Sequence, residues 1–318
     1  MKEHRAFTRP FKQVDVFTST PYFGNPLAVV LDGSDLSDDA MQRFAQWTNL
    51  SETTFVLPPS QAAHAAGADY RVRIFTPGGE LPFAGHPTLG TCHAWLQAGG
   101  KQQVGDYVVQ ESQIGLVKIR REGNRLAFGA PPLKRSAPGP ALLAQVAAAL
   151  GLKAQQIASA QVLDNGPVWL GLLLDSQNTV LQIQPDHAQI KKLGQKIGVV
   201  SIENTQPAPP LISRSNREAT AFTTSATAKK SAHDDDTPAL EVRAFAASVG
   251  IDEDPVTGSL NASLAQWLIA DGYAPSRYVA AQGTCMGRAG RVHIEQDANG
   301  QVWVGGQSVT CVEGSVTL

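Results

Sequence analysis

Three short stretches of this sequence carry side chains able to move protons, each in or beside turn-forming residues. "RIFTPGGELPFAGHPTLG" (73–90) sets His86 between Gly85 and Pro87, and "DEDPVTGSLNASL" (252–264) sets Asp254 ahead of Gly258 and Ser259. "NLSETTFV" (49–56) places Glu52 next to Ser51 at the entry to an apolar run. A carboxylate or imidazole beside a carbon acid can act as general acid and base, and the unpaired N–H groups at a helix start suit a carboxylate. Proton shuffling next to a bound carboxylate is the chemistry these residue types allow. Each also has an ordinary role. Glu52 can be a surface carboxylate or helix-capping partner, and His86 a helix cap or the partner of a buried carbonyl. Asp254, before Pro255, can open a turn or cap a helix. Ser51, Gly85, Gly258 and Ser259 can simply shape turns and helix starts, and Asn25, in "GNP", can make a turn.

The elements that must position these groups are visible as changes of pattern. "KQVDVFT", "LAVVLDG", "TTFVLPP", "DYRVRIFT", "DYVVQES", "GLVKIRREG" and "NRLAFGAP" read as short strands bounded by Gly, Pro, Asn and Asp. "SDLSDDAMQRFAQWTN" has Ser and Asp at its start and apolar residues at helical spacing, which predicts an amphipathic helix. In the second half "ALLAQVAAALG" reads as a helix, and "VWLGLLLDS" and "IGVVSIEN" as strands. Phe75 is expected to end a strand and Thr88 to Leu96 to form a helix, leaving His86 in the turn between them.

A repeat links the two halves. Val72, Arg73 and Phe75 match Val242, Arg243 and Phe245 at a spacing of 170, and Trp95 and Leu96 match Trp267 and Leu268 at 172. Each copy reads strand, glycine turn, helix, which is the signature of duplication. Two such halves packed together would bring Gly85, His86 and Pro87 to the same cleft as Asp254, Gly258 and Ser259.

Composition narrows the function class. A chain of 318 residues, 42% hydrophobic and 17% charged, can build two domains with substantial cores. We place them at 1–130 and 131–318, with a polar, Pro- and Ser-rich surface loop at 206–238 in which His233 to Asp236 are solvated. The net charge of -2 gives no positive field for nucleic acid, which leaves a small molecule as the expected partner. Cys92, Cys285 and Cys311 are widely separated and odd in number, fitting a reduced cytoplasmic protein with no disulfide framework and no cysteine metal site. Cys92 reads as a buried, inert thiol and Cys285 as a loop thiol. No run is long enough to suggest a membrane span, and the opening lacks a signal peptide's apolar core. Phe44, Trp47, Trp95, Trp169 and Trp267 are expected in the core, and Arg291 and His293 on an exposed strand face.

In order along the chain, "FGNPLAVV", "NLSETTFV", "RIFTPGGELPFAGHPTLG", "DEDPVTGSLNASL" and "GRAGRVHI" resemble the successive motifs of the PhzF family of phenazine-biosynthesis-like isomerases. The resemblance implies an α+β, diaminopimelate-epimerase-like fold: two pseudo-symmetric domains, each an antiparallel-rich sheet rolled around a central helix, with terminal strands able to cross between them. It implies a cofactor-free isomerase, often a homodimer, acting on a small carboxylated substrate. By that resemblance Glu52 is the proton-transfer residue, His86 an active-site histidine and Asp254 an assistant. Backbone amides at Gly85, Gly258 and Ser259 would hold the substrate, with Ser51 and Asn25 beside them. Racemases of this fold use two thiols, and neither matching turn here has a cysteine. An epimerase using Glu52 with Asp254, and a non-catalytic binding module, stand as the rival readings.

Overall fold

The computed structural model describes residues 7–103, 105–202 and 237–318. Nearly all of the expected 206–238 loop, including His233 to Asp236, lies outside them. The first half runs β1 (Thr8–Val16), β2 (Asn25–Val30), α1 (Asp38–Thr48), β3 (Glu52–Leu57), α2 (Gln61–Ala65), β4 (Tyr70–Thr76), β5 (Gly79–Leu81), α3 (Gly85–Gln97), β6 (Tyr107–Ser112), β7 (Gly115–Glu122) and β8 (Arg125–Gly129). The second continues with β9 (Lys134–Ser136), α4 (Pro140–Ala149), β10 (Ile157–Asp164), β11 (Val168–Leu174), α5 (Gln177–Gln182), α6 (His187–Leu193) and β12 (Ile197–Ile202). It ends with β13 (Leu240–Ala246), β14 (Ile251–Asp254), α7 (Gly258–Ala270), β15 (Arg277–Gln282), β16 (Gly290–Gln296) and β17 (Val302–Thr317).

Strands β1, β2, β3, β4, β6, β7, β8 and β17 form a closed ring of hydrogen-bonded neighbours, because β17 pairs with both β8 and β1. Helix α3 runs inside, touching β1, β2, β3, β6, β8 and β17. Such a helix must be apolar or small on every side. Gly85 through Cys92 are accordingly all buried, as is Ala94. In the second half β10, β11, β12, β13, β15, β16 and β17 follow one another around α7, which touches β10, β11, β16 and β17. The long β17 straddles the halves: it pairs with β16 over Val302–Gly305 and with β8 over Trp303–Gln307. This is the α+β architecture of two helices, each wrapped by a sheet.

Residue register shows the duplication in detail. Thr53 of β3 pairs with Phe75 of β4, and Ile197 of β12 pairs with Phe245 of β13. The Arg73 Nε and Nη2 donate to Glu80 at 2.7 Å each, and the Arg243 Nε and Nη2 donate to Glu253 at 2.9 and 2.8 Å. Both guanidinium groups stand 5.0 Å from the ring of the phenylalanine two residues on. Each half thus locks strand to returning strand with the same bidentate ion pair, a geometry the planar guanidinium favours.

Three expectations are corrected. Helix α3 starts at Gly85, three residues before Thr88, so His86 lies in its first turn. Pro87 is compatible with that position because the first-turn N–H groups lack helical partners anyway. Trp47 is 80% exposed and stacks on Phe44 from outside, while Phe44, Trp169 and Trp267 are buried and Trp95 is half-buried against Tyr70. Arg291 and His293 are half-buried, since β16 is flanked by β15 and β17 and His293 Nδ1 meets Arg125 Nη1 at 2.5 Å.

Candidate active site

Glu52 owes its place to the end of α1. That helix stops at Asn49 in the left-handed region (φ 53), where asparagine is among the few side chains tolerated. The chain then enters β3 at Glu52, paired in parallel with Leu27 of β2. Its side chain is 12% exposed and that of His86 is 5% exposed. Ser51, just before it, is half-buried.

Glu52 Oε2 and His86 Nε2 lie 3.3 Å apart, yet both atoms are buried without an aligned hydrogen-bond partner. The contact is not an ion pair, because burial pushes the His86 pKa down to about 3 and leaves a neutral ring. Asn25 Nδ2 also stands 3.4 Å from His86 Nδ1, while its two hydrogens are directed to Asp254 Oδ1 and Val256 O at 2.9 Å each.

Asp254 ends β14 and is held quite differently. Thr257 Oγ1 donates to its Oδ2 at 2.5 Å and Asn25 Nδ2 to its Oδ1 at 2.9 Å. Asn25 Nδ2 also donates to Val256 O at 2.9 Å, so it crosses from the first half to pin the turn of the second. Gln282 completes the frame by donating to Asp254 O and Thr257 Oγ1 and accepting from Thr257 N and Asn261 Nδ2.

These surroundings separate the two carboxyl groups. Burial, then the charge of Asp254, raises the Glu52 pKa to about 8. Burial raises Asp254 less, to about 6, because the Thr257 and Asn25 donors favour its ionised form. The pair titrates together, with Asp254 carrying the charge and Glu52 the proton. A carboxyl poised near neutrality is suited to taking and returning protons.

The helix starts meet at glycine. A Cβ on Gly85 would lie 2.9 Å from Gly258 Cα, and one on Gly258 would lie 2.9 Å from Gly85 Cα. Side chains are excluded there so that two helix N-termini, with their free amides, can abut. Ser259 follows: its Oγ accepts from Trp169 Nε1 at 3.2 Å and its O from Asn165 Nδ2 at 3.0 Å. The structure therefore joins His86, Glu52, Asn25 and Asp254 through direct contacts or shared partners, and sets Gly85 against Gly258 with Ser259 beside them.

Asp254 is not the counterpart of Glu52. Leu81 pairs with Ile74 as Asp254 pairs with Ala244, so Asp254 answers to Leu81, while the register of β3 and β12 makes Lys196 the equivalent of Glu52. Sequence reading missed Thr257, Gln282, Asn165 and Lys196. The "DPVTGS" turn carries Thr257 in plain view, but Gln282 and Lys196 reach the region only through strand pairing. No group of three or more His, Cys, Asp or Glu side chains arranged for a metal occurs among the described residues. Cys92 is fully buried with its pKa raised to about 12, whereas Cys285 is exposed. Surface cavities of about 290 and 510 Å³, the first beside Phe17 and Arg291 and the second beside Tyr107 and Trp303, contain none of the site side chains.

The chain is similar to known proteins along most of its length. It is 32% identical to antisense-enhancing sequence 1 of Schizosaccharomyces pombe, over 96% of this chain and 97% of that one. It is 40% identical to the trans-2,3-dihydro-3-hydroxyanthranilate isomerase of Pseudomonas aeruginosa over a shorter span, 55% of this chain and 60% of that enzyme. Its fold matches a Bacillus anthracis phenazine biosynthesis protein of the PhzF family with a TM-score of 0.75 at 20% identity, covering 98% and 100% of the two chains. A hydroxyproline epimerase from Agrobacterium vitis shares the fold more distantly, at a TM-score of 0.55 and 13% identity over 100% of this chain and 94% of that one. The phenazine biosynthesis-like (PhzC-PhzF) family model matches residues 14–314, and with two sheet-wrapped helices meeting at Gly85 and Gly258, the chain belongs to that family.

Proposed function

We propose that this protein is a cofactor-independent isomerase that moves a proton between carbons of a small carboxylated metabolite, with Glu52 as the single acid and base. The observation that carries this reading is the pair of buried, unpartnered atoms, Glu52 Oε2 and His86 Nε2, 3.3 Å apart at the start of α3. Polar atoms are seldom buried bare without a function to serve, and the isomerase names of the relatives support the same class.

In the proposed cycle the substrate carboxylate accepts hydrogen bonds from amides at Gly85, Gly258 and Ser259. Glu52, once ionised, takes a proton from a carbon next to a double bond or carbonyl. The C–H electron pair spreads over the unsaturated system and forms a new C–H bond when Glu52 returns the proton elsewhere. No oxidant or reductant is consumed. Asp254 keeps the Glu52 proton affinity high, and the His86 Nε2–H donates to the glutamate or to charge developing on the substrate. Ser51 and Asn25 flank the reacting groups, Asn25 by holding Asp254. The protein is read as cytoplasmic and able to pair with a second copy.

The test is solvent deuterium exchange. A mixture of small unsaturated carboxylates incubated in D2O should gain carbon-bound deuterium in at least one component with wild type and none with Glu52→Gln. Equal labelling by both proteins would contradict the reading.

A further inference from the structure

We propose that Lys196 anchors a second anionic group of the ligand, so that the site prefers a dicarboxylate or comparable dianion over a monocarboxylate. The inference rests on the proposed substrate-binding role of the α7 amides and adds a contact that they do not supply.

Lys196 occupies in β12's approach the register position that Glu52 holds at the start of β3. Its carbonyl accepts from Leu170 N at 2.8 Å, which fixes it beside β11. Its ammonium lies 5.2 Å from the centre of the Trp169 ring, and that indole donates to Ser259 Oγ in the first turn of α7. Asn165 donates to Ser259 O, and since a carbonyl must face its NH2 the other end of the amide is Oδ1. That oxygen is buried and has no donor, in a residue only 6% exposed. Trp169 therefore links the half-buried cation to the start of α7, where Asn165 leaves a buried acceptor unpartnered.

Among the described residues the buried cations Arg9, Lys12 and Arg243 pair with Asp32, Glu313 and Glu253, as half-buried Arg73 does with Glu80. Lys196 has no carboxylate within ion-pair distance among the described residues, and burial alone lowers its pKa. The Trp169 ring offsets only part of that cost. A ligand anion supplies what the protein does not. Neither Glu52 nor Asp254 forms an ion pair with Lys196, which leaves the ammonium for the second anionic group of a molecule whose first carboxylate would rest on the amides. Asn165 Oδ1 would accept a hydrogen bond from an O–H or N–H of the same ligand. Because Asp254 makes the centre negative, a dianion needs such a cation to enter.

Calorimetric titration with benzoate, phthalate, isophthalate and terephthalate tests this. At least one diacid should bind wild type about tenfold or more tightly than benzoate. Lys196→Met should bring that ratio to within about twofold while leaving benzoate affinity and the melting temperature in place, and Lys196→Arg should keep most of the preference. Should Lys196→Met fail to fold, Lys196→Gln is read instead. A wild type that binds no diacid more tightly than benzoate, or a preference that survives loss of the ammonium, overturns the proposal. Glu52→Gln should retain the preference, so failure of the proton-transfer reading and failure of this one give different results.

Discussion

The starts of α3 and α7 occupy equivalent places in a duplicated scaffold and are finished in opposite ways. At α3 the equivalent residues Glu52 and His86 present bare polar atoms to each other. At α7 the matching positions are Lys196 and Ser259, and Ser259 is hydrogen-bonded through both its hydroxyl and its carbonyl. Both ends keep the Arg–Glu lock and the glycine contact that set the backbone. Duplication thus supplied two rigid frames. The side chains then diverged so that one start carries a buried carboxyl and imidazole and the other a lysine and a hydrogen-bonded serine, and Asn25 ties the two together across the junction.

The most severe break of this contrast is Glu52→Gln, which keeps shape but removes the proposed base. Turnover should fall by about 10²–10⁴-fold with the circular dichroism spectrum unchanged. Next comes the shared contact. Gly258→Ala places a methyl 2.9 Å from Gly85 Cα and should cost about 1–3 kcal/mol in urea unfolding by forcing the helix starts apart.

A smaller effect concerns stability. The Glu52 pKa is raised from 4.5 to about 8 on folding, so its neutral form contributes stability that is present below about pH 4.5 and lost as pH rises through 8. Glu52→Gln should therefore melt progressively higher than wild type from pH 5 to 8, at ~1.4 kcal/mol per decade of proton affinity, and match it near pH 4. His86, whose pKa is lowered, acts in the other direction as pH falls below 6.5, and comparing the two proteins cancels its share. The mildest change is Asp254→Asn. Removing the neighbouring charge should move the acid limb of the activity profile down by about one pH unit.

Much of this was legible in the chain. Alternation and turn residues located the strands of the first half, and the Val-Arg-x-Phe repeat pointed to duplicated strand, turn and helix units. The repeat brought His86 and Asp254 to one cleft, whereas Glu52 was placed there by resemblance, since a glutamate after a serine at a strand entry has no distinctive spacing. What stayed hidden depends on pairing across the sheet. Lys196 becomes equivalent to Glu52 only through the register of β12 with β13, and Gln282 reaches the Asp254 turn from a strand paired in parallel with β13. Trp47 misled because its helical spacing fits the apolar stripe, although it lies at the stripe's outer edge against Phe44.

Protonation of Glu52 near neutrality is the property on which the proposed chemistry depends most directly. Carbon-13 NMR titration of the glutamate carboxyls, with Glu52→Gln for assignment, should show one resonance titrating near pH 8 in wild type and lower in Asp254→Asn. A Glu52 carboxyl that loses its proton near pH 4.5 in both proteins would contradict it.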